Sequence, residues 1–446
     1  MIGATATGRP PSAAARNDRQ QRMISAANWR PSAFARSPRH VSVVATVAAS
    51  HEPPEIPHRF GFPRRVDRSL RTARSTRPKG FDMTTSEPGV TPVEHGNQQR
   101  CTVRSLALAA AILLAAAVWL IASSWRSPQP ITFGGETMGT TYTVKLARLP
   151  AGASAAQLKR SVDDALREVN RKMSTYDPNS ELSRWNAAGE DWFPVSEDTA
   201  RVVAESLRIG RLTDGAFDVT VGPLVRLWRF GPGASLSDAA APSAEQLAAA
   251  QSLVGYQRID VEMNPPRVRR RIAGGSVDLS AIAKGFGVDR AAEVLEAAGV
   301  QDYMVEVGGE VRARGVNHAG LPWTIAIETP RLDARTVFRT VRLRDASLAT
   351  SGDYRNYREI EGRRYCHLID PRTGKPIEHQ LASVSVIHAS CMTADAWATA
   401  LSVLGPEQAM TTAEKNGLDV LLIVRVGDRF ECRTTPGFAA WSAEEH

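Results

Sequence analysis

The stretch VDLSAIAKGFGVD, Val277 to Asp289, sets a carboxylate, a lysine and two glycines in what reads as a loop running into a helix. Gly285 and Gly287 would let backbone come close to a ligand, and Lys284 would place a cation beside it. The apolar spacing that follows predicts a helix over Val288–Ala298, stopped by Gly299 as its C-cap, and then a strand over Tyr303–Val307. Upstream, Tyr142–Leu146 reads as a first strand. Leu158, Val162, Leu166 and Val169 give Ala155–Met173 a helical period, and Val203, Leu207 and Ile209 do the same for Thr199–Leu212. Downstream, Glu361-Gly362 between Tyr354–Glu359 and Arg364–Ile369 predicts a hairpin that carries His367. Helical and strand periods mix without a repeat. The expected fold class is therefore α+β, one domain of mixed sheets with covering helices, and not a βαβ series or a barrel.

That domain is expected to occupy residues 128–446 of the 446-residue chain. A net charge of +8 would ordinarily point to nucleic acid, but much of the excess lies before Cys101. This Arg- and Pro-rich stretch has few acidic residues and no sustained apolar period, so residues 1–100 read as a disordered basic segment. The folded part has no aromatic-basic motif, and no nucleic-acid partner is expected. A start at Met83 would leave a short polar lead before the apolar run and would put residues 1–82 outside the translated protein. The run itself, LALAAAILLAAAVWLIA from Leu106 to Ala122, is uncharged, and its roughly 17 apolar residues stand at the short end of a membrane-spanning helix. Residues 101–127 are expected to be a transmembrane anchor or uncleaved signal, the alternative being cleavage after the run, near Ser123-Ser124. Arg100 and Arg104 before the run favour an internal N-terminus and an extracytoplasmic domain. Cys101, Cys366, Cys391 and Cys432 lack metal-ligand spacing; free buried thiols are expected, with a Cys391–Cys432 bridge as the alternative.

Chemistry concentrates in a few segments rich in small and polar residues. In TADAWATAL, Thr393 to Leu401, a helix expected over Ala394–Leu404 and stopped by Gly405-Pro406 puts Asp395 and Thr399 four apart on one face. A carboxylate with a hydroxyl suits a hard cation such as Mg2+, which keeps much of its shell for water and phosphate. The competing reading has Asp395 favouring its own helix dipole, with Thr393 as N-cap. Lys284 suits a diphosphate, or is a solvated lysine on a first helical turn. Met138, in GETMGTTY from Gly135, and Tyr176, in STYDPNSELSRWN from Ser174, offer a thioether and an aromatic face to a flat ring, or are ordinary core. His367 opens HLIDPRTGKPI at a strand end, where a neutral imidazole can serve as a general base or simply complete the structure.

Together with DGAFDVTVGPL from Asp214, these segments, in this order from about Phe133 to Gly405, resemble the ApbE family, the FAD:protein FMN transferases. The resemblance implies a T-fold-like flavin transferase domain that takes FAD as substrate and Mg2+ as cofactor. It places Met138, Tyr176, Ala216, Phe217, Asp218, Asp278, Lys284 and Ile369 on FAD, the metal on Asp395, Thr399 and the Ala281 carbonyl, and catalysis on His367. Some relatives carry a further acidic residue where this chain has Ala398. It further implies acceptor proteins with Ser-Gly-Ala-Thr-like sites in membrane redox complexes, held near the enzyme by the 106–122 anchor at the bacterial inner membrane. Two other activities share these parts: hydrolysis of FAD to FMN and AMP with water as acceptor, and flavin binding without turnover.

Overall fold

The computed structural model describes residues 112–116, 130–231, 240–331, 335–354, 356–360 and 362–442. Its centre is an eight-stranded sheet in which every hydrogen-bonded neighbour is antiparallel. Across the sheet the strands run Ile131–Thr137, Thr140–Leu146, Tyr303–Val307, Glu310–Arg314, Ala346–Gly352, Leu381–His388, Asp419–Val426 and Arg429–Thr434. The order is simply chain order, with helices inserted between strands rather than strands shuffled in the sheet. This bears out the α+β expectation.

Both faces of the central strands are covered, so they read as continuous apolar runs; Tyr303–Val307 is buried at every position. Side chains nonetheless alternate. Tyr303, Val305 and Val307 pack with Leu158, Val162 and Leu166 of helix Ala155–Met173 and with Val288, Ala291 and Leu295 of helix Ala283–Ala297. Met304 faces the other way, toward Trp323, Ile325 and Val341 of a two-stranded ribbon, Trp323–Glu328 with Val337–Leu343. Val420, Leu422 and Val424 join the helix side, and Leu421 and Ile423 join the ribbon side. A second body of core surrounds helices Glu197–Leu212 and Cys391–Leu404 and includes Trp185, Phe217, Phe286 and Trp397.

Several sequence expectations shift. Helix Ala283–Ala297 begins five residues before the expected Val288, so Gly285 and Gly287 lie inside it rather than in a loop. Packing demands the first: a Cβ on Gly285 would stand 2.3 Å from the Cys391 carbonyl oxygen, whereas one on Gly287 would stand 2.7 Å from Met138 Cε, the flexible end of a side chain that can give way. Helix Cys391–Leu404 likewise starts before Ala394, and its N-cap is Ser390, which accepts from the Thr393 N–H; Thr393 is not the cap. The hairpin near His367 forms with strands Tyr357–Ile360 and Arg363–Cys366, and His367 follows the second. Cys366, Cys391 and Cys432 are free thiols, so the alternative bridge between Cys391 and Cys432 is absent. Of the apolar run, residues 112–116 are described; they are helical, with Ile112, Leu113 and Leu114 exposed. No helix among the described residues is long and apolar enough to cross a membrane. The rest of the run, the basic segment 1–100 and Cys101 lie outside the described residues.

Candidate active site

Two helix N-termini meet at the site and each is capped by a carboxylate from the other helix. Helix Ala283–Ala297 has no side-chain cap from Ile282, its N-cap residue. Its Gly285 N–H donates instead to Asp395 Oδ2 at 2.9 Å, from the second turn of helix Cys391–Leu404. In return, Asp289 Oδ1 accepts from the Cys391 N–H (3.1 Å), and its Oδ2 accepts from the Met392 N–H (3.0 Å) and the Ser390 hydroxyl (2.8 Å). Orphan N–H groups at helix starts are thus satisfied across the interface. The Cβ-less Gly285 makes that approach possible.

The same exchange commits Asp395 Oδ2 and leaves Oδ1 to other partners. The N–H that a continuing helix would hand to the Ala281 carbonyl, that of Gly285, goes to Asp395 Oδ2. Asp395 Oδ1 then has the Lys284 ammonium at 3.9 Å. Thr399, one turn further, is the one position from Cys391 through Val403 that is not buried. Burial pushes the Asp395 carboxyl up and the Lys284 charge opposes this, so a divalent cation against Oδ1 would favour the ionised form. The donors are hard oxygens, few in number, and fit Mg2+.

Lys284 Nζ lies 2.5 Å from Glu310 Oε1. Burial alone would lower the lysine, but Asp395 and Glu310 outweigh it and hold the ammonium charged. Glu310 follows the Gly308-Gly309 turn, which Glu306 pins by accepting the Gly309 N–H at 2.7 Å. Burial pushes Glu306 up to about 7. Glu306, Glu310 and Asp289 escaped the sequence reading, although a signal was present. Each glutamate is a lone charge among buried neighbours, in VEV and GGEV, and Asp289 is a buried charge in GFGVDRAA beside the half-buried Arg290.

His367 is fixed by its neighbour strand. Its main-chain N–H and its Nδ1 both meet the Asn356 carbonyl, each at 3.0 Å. A carbonyl can only accept, so Nδ1 carries the proton and Nε2 keeps its lone pair. Burial pushes the imidazole pKa down and the nearby Lys284 charge pushes it further, against the pull of the Asn356 carbonyl and Asp353. His367 is therefore a neutral imidazole near pH 7, with Nε2 available as a proton acceptor.

The remaining expected positions divide into two kinds. Tyr176 is 71% exposed, an unusual state for a large aromatic residue, and lies near the Asp278 carboxylate. Met138 sits at the tip of the first hairpin with φ of 48° and packs over Gly287, half-buried. Asp278 Oδ1 accepts from the Ser280 N–H and hydroxyl, which shapes the turn that presents Ala281. Asp278 is tied to the Ala216–Asp218 segment's neighbour through its N–H to the Val219 carbonyl at 2.7 Å. Ala216, Phe217 and Ile369, in contrast, have buried side chains, with Ile369 packed against Leu224 and Trp228. Asp218 is also buried; Oδ1 accepts from the Thr220 N–H and hydroxyl, and Oδ2 from the Tyr256 N–H. These four hold the loop, and what they can offer a ligand directly is chiefly main chain.

The profile of the ApbE family matches residues 138–422, which spans every position just described. The chain belongs to the ApbE family. It is 45% identical over 327 residues to a Vibrio cholerae protein named FAD:protein FMN transferase, covering 73% of this chain and 95% of that one. An Escherichia coli K12 protein of the same name is 40% identical over 315 residues, covering 70% and 89%. Among solved structures, the flavin transferase ApbE from Vibrio cholerae superposes with a TM-score of 0.65 at 44% identity, over 70% of this chain and 99% of that one. The apo flavinyl transferase ApbE of Pseudomonas stutzeri gives a TM-score of 0.65 at 39% identity, over 71% and 98%.

Proposed function

We propose that this ApbE-family enzyme transfers FMN from FAD to a Thr or Ser hydroxyl of acceptor proteins in a magnesium-dependent reaction that releases AMP. The relatives' names supply the reaction class, and one observation carries the assignment of the base. His367 Nδ1 is committed to the Asn356 carbonyl, which leaves Nε2 unprotonated, and burial and the Lys284 charge both disfavour protonation there. In this reading the acceptor O–H proton passes to His367 Nε2 while the oxygen forms a bond to the FMN phosphorus. The bond from that phosphorus to the bridging oxygen breaks, and AMP leaves with the bridging oxygen.

Asp395 Oδ1, the Thr399 hydroxyl and the Ala281 carbonyl would hold Mg2+, which when bound neutralises diphosphate charge and eases departure of AMP. Lys284 and the N-terminus of its helix add positive potential to the same phosphates. The exposed Tyr176 ring offers a stacking face for FAD, Met138 lends a polarizable contact, and Asp278 shapes the turn beneath. Ala216, Phe217, Asp218 and Ile369 complete the FAD site through loop main chain. We further assign the acceptors to membrane redox complexes with Ser-Gly-Ala-Thr-like sites. The 106–122 run would anchor the domain on the extracytoplasmic side of the bacterial inner membrane.

The test is intact-mass analysis of an acceptor peptide bearing Ser-Gly-Ala-Thr after incubation with the full-length enzyme, FAD and Mg2+. An FMN adduct with one AMP per adduct is expected, and His367→Ala should bind FAD but form none. Free FMN and AMP with no adduct would replace the transferase reading by a hydrolase.

A further inference from the structure

The Lys284 ammonium has two anionic neighbours, and the chemistry proposed above needs only one of them. Asp395 has a single oxygen to give, because Oδ2 is spent on the Gly285 N–H. If Lys284 closed the 3.9 Å gap to Oδ1, it would neutralise that oxygen and withdraw from the phosphates. Glu310 prevents this by holding Nζ at 2.5 Å on its own side. Glu310 is 2% exposed, and its Oε2 is buried with no hydrogen-bond partner. A residue kept only for packing would not retain a buried, half-satisfied carboxylate. It is also rigidly placed, at the first residue of strand Glu310–Arg314, directly after a two-glycine turn that Glu306 pins.

We propose that Glu310 is a positioning residue that holds Lys284 off Asp395, leaving Asp395 Oδ1 for a divalent cation and the ammonium for the diphosphate of FAD. The inference rests on the cation and FAD site assigned above. Glu310 touches neither substrate nor metal; it acts through Lys284.

The experiment measures Mn2+ binding by the loss of the free-ion electron paramagnetic resonance signal, using full-length protein with FAD and no acceptor. In Glu310→Ala, Lys284 moves against Asp395 and Mn2+ affinity falls about tenfold or more, and Glu310→Gln falls between it and the native enzyme. At saturating FAD, Lys284→Met is the reference variant, and adding it to Glu310→Ala should restore Mn2+ affinity to within about twofold of Lys284→Met alone. That rescue is the result a purely structural role for Glu310 would not give. Unchanged Mn2+ affinity in Glu310→Ala, or a double variant as weak as Glu310→Ala, would overturn the inference. Failure of the native protein to bind Mn2+ would overturn the cation site itself and this inference with it. Circular dichroism of each variant confirms that the fold persists.

Discussion

Replacing Gly285 by alanine separates two reasons for a glycine at this position. If Gly285 is there to let a ligand approach, Gly285→Ala should weaken FAD binding and leave the apo protein intact. The structure gives a different expectation, because the added Cβ would lie 2.3 Å from the Cys391 carbonyl oxygen, 2.7 Å from its carbon and 2.8 Å from Asp395 Cβ. Two of these are backbone atoms of a buried helix start, so no side-chain rotation relieves the contact. The helices must part, at a cost of about 1–3 kcal/mol for overpacking. Parting also lengthens the Gly285 N–H bond to the Asp395 carboxylate, a charged hydrogen bond worth about 1.5–3 kcal/mol. Alanine recovers about 1 kcal/mol through its helix propensity. The net loss is about 1.5–5 kcal/mol, a large share of the roughly 5–15 kcal/mol that holds a domain folded. Gly287→Ala is the internal control: its Cβ meets side-chain atoms alone, the flexible end of Met138 and Leu166 Cδ2 at 3.4 Å, and its stability should change by under about 1 kcal/mol. Equilibrium urea unfolding without FAD, followed by circular dichroism, reads both variants. If Gly285→Ala unfolds within about 0.5 kcal/mol of the native protein, the interhelical packing argument is refuted.

Other outcomes follow from the same geometry. Tyr176→Ala removes an exposed ring, so stability should stay within about 0.5 kcal/mol of native while the FAD dissociation constant, read by flavin fluorescence, rises; a drop in stability with unchanged FAD affinity would return Tyr176 to a structural role. The pKa of His367 is pushed down by burial and by Lys284, so folding favours the neutral ring. The unfolded chain therefore binds the extra proton first, and this residue's contribution to stability is present above about pH 6.5 and is lost as pH falls from there toward the lower folded pKa. The acid limb of the transfer rate should likewise lie below about pH 6.5, and a limb above pH 7 in kcat/KM would contradict an imidazole with this environment. Asp395→Asn keeps an oxygen for the Gly285 N–H but removes the charge, so it should fold and lose response to Mg2+; an unchanged magnesium titration would remove Asp395 from the cation site.

The parts of the fold legible in the sequence were those written in one period at a time. Helix Ala155–Met173 was readable to the residue because Leu158, Val162, Leu166 and Val169 recur at helical spacing and are all buried, and Tyr303–Val307 because a strand buried on both faces is apolar but for Glu306. The start of helix Ala283–Ala297 was not readable, since local propensity makes Lys-Gly-Phe-Gly a poor helix opening. Only the second helix, more than a hundred residues later, explains it: Gly285 is needed where Cys391 crosses, and Asp395 supplies the missing cap. The site divides along the same line. Residues whose role is local, such as His367 at a strand end, stood out by type and context. Glu310 and Asp289 act on partners distant in the chain, Lys284 and the Cys391 helix start, and a single sequence marks such residues only by the oddity of a charge among buried neighbours. That oddity is usable evidence of function. Burying a carboxylate is costly unless something pairs with it, and Asp289, Glu306, Glu310 and Asp395 each have a partner. The capping exchange between the two helices thus couples the stability of their junction to the placement of Asp395 Oδ1.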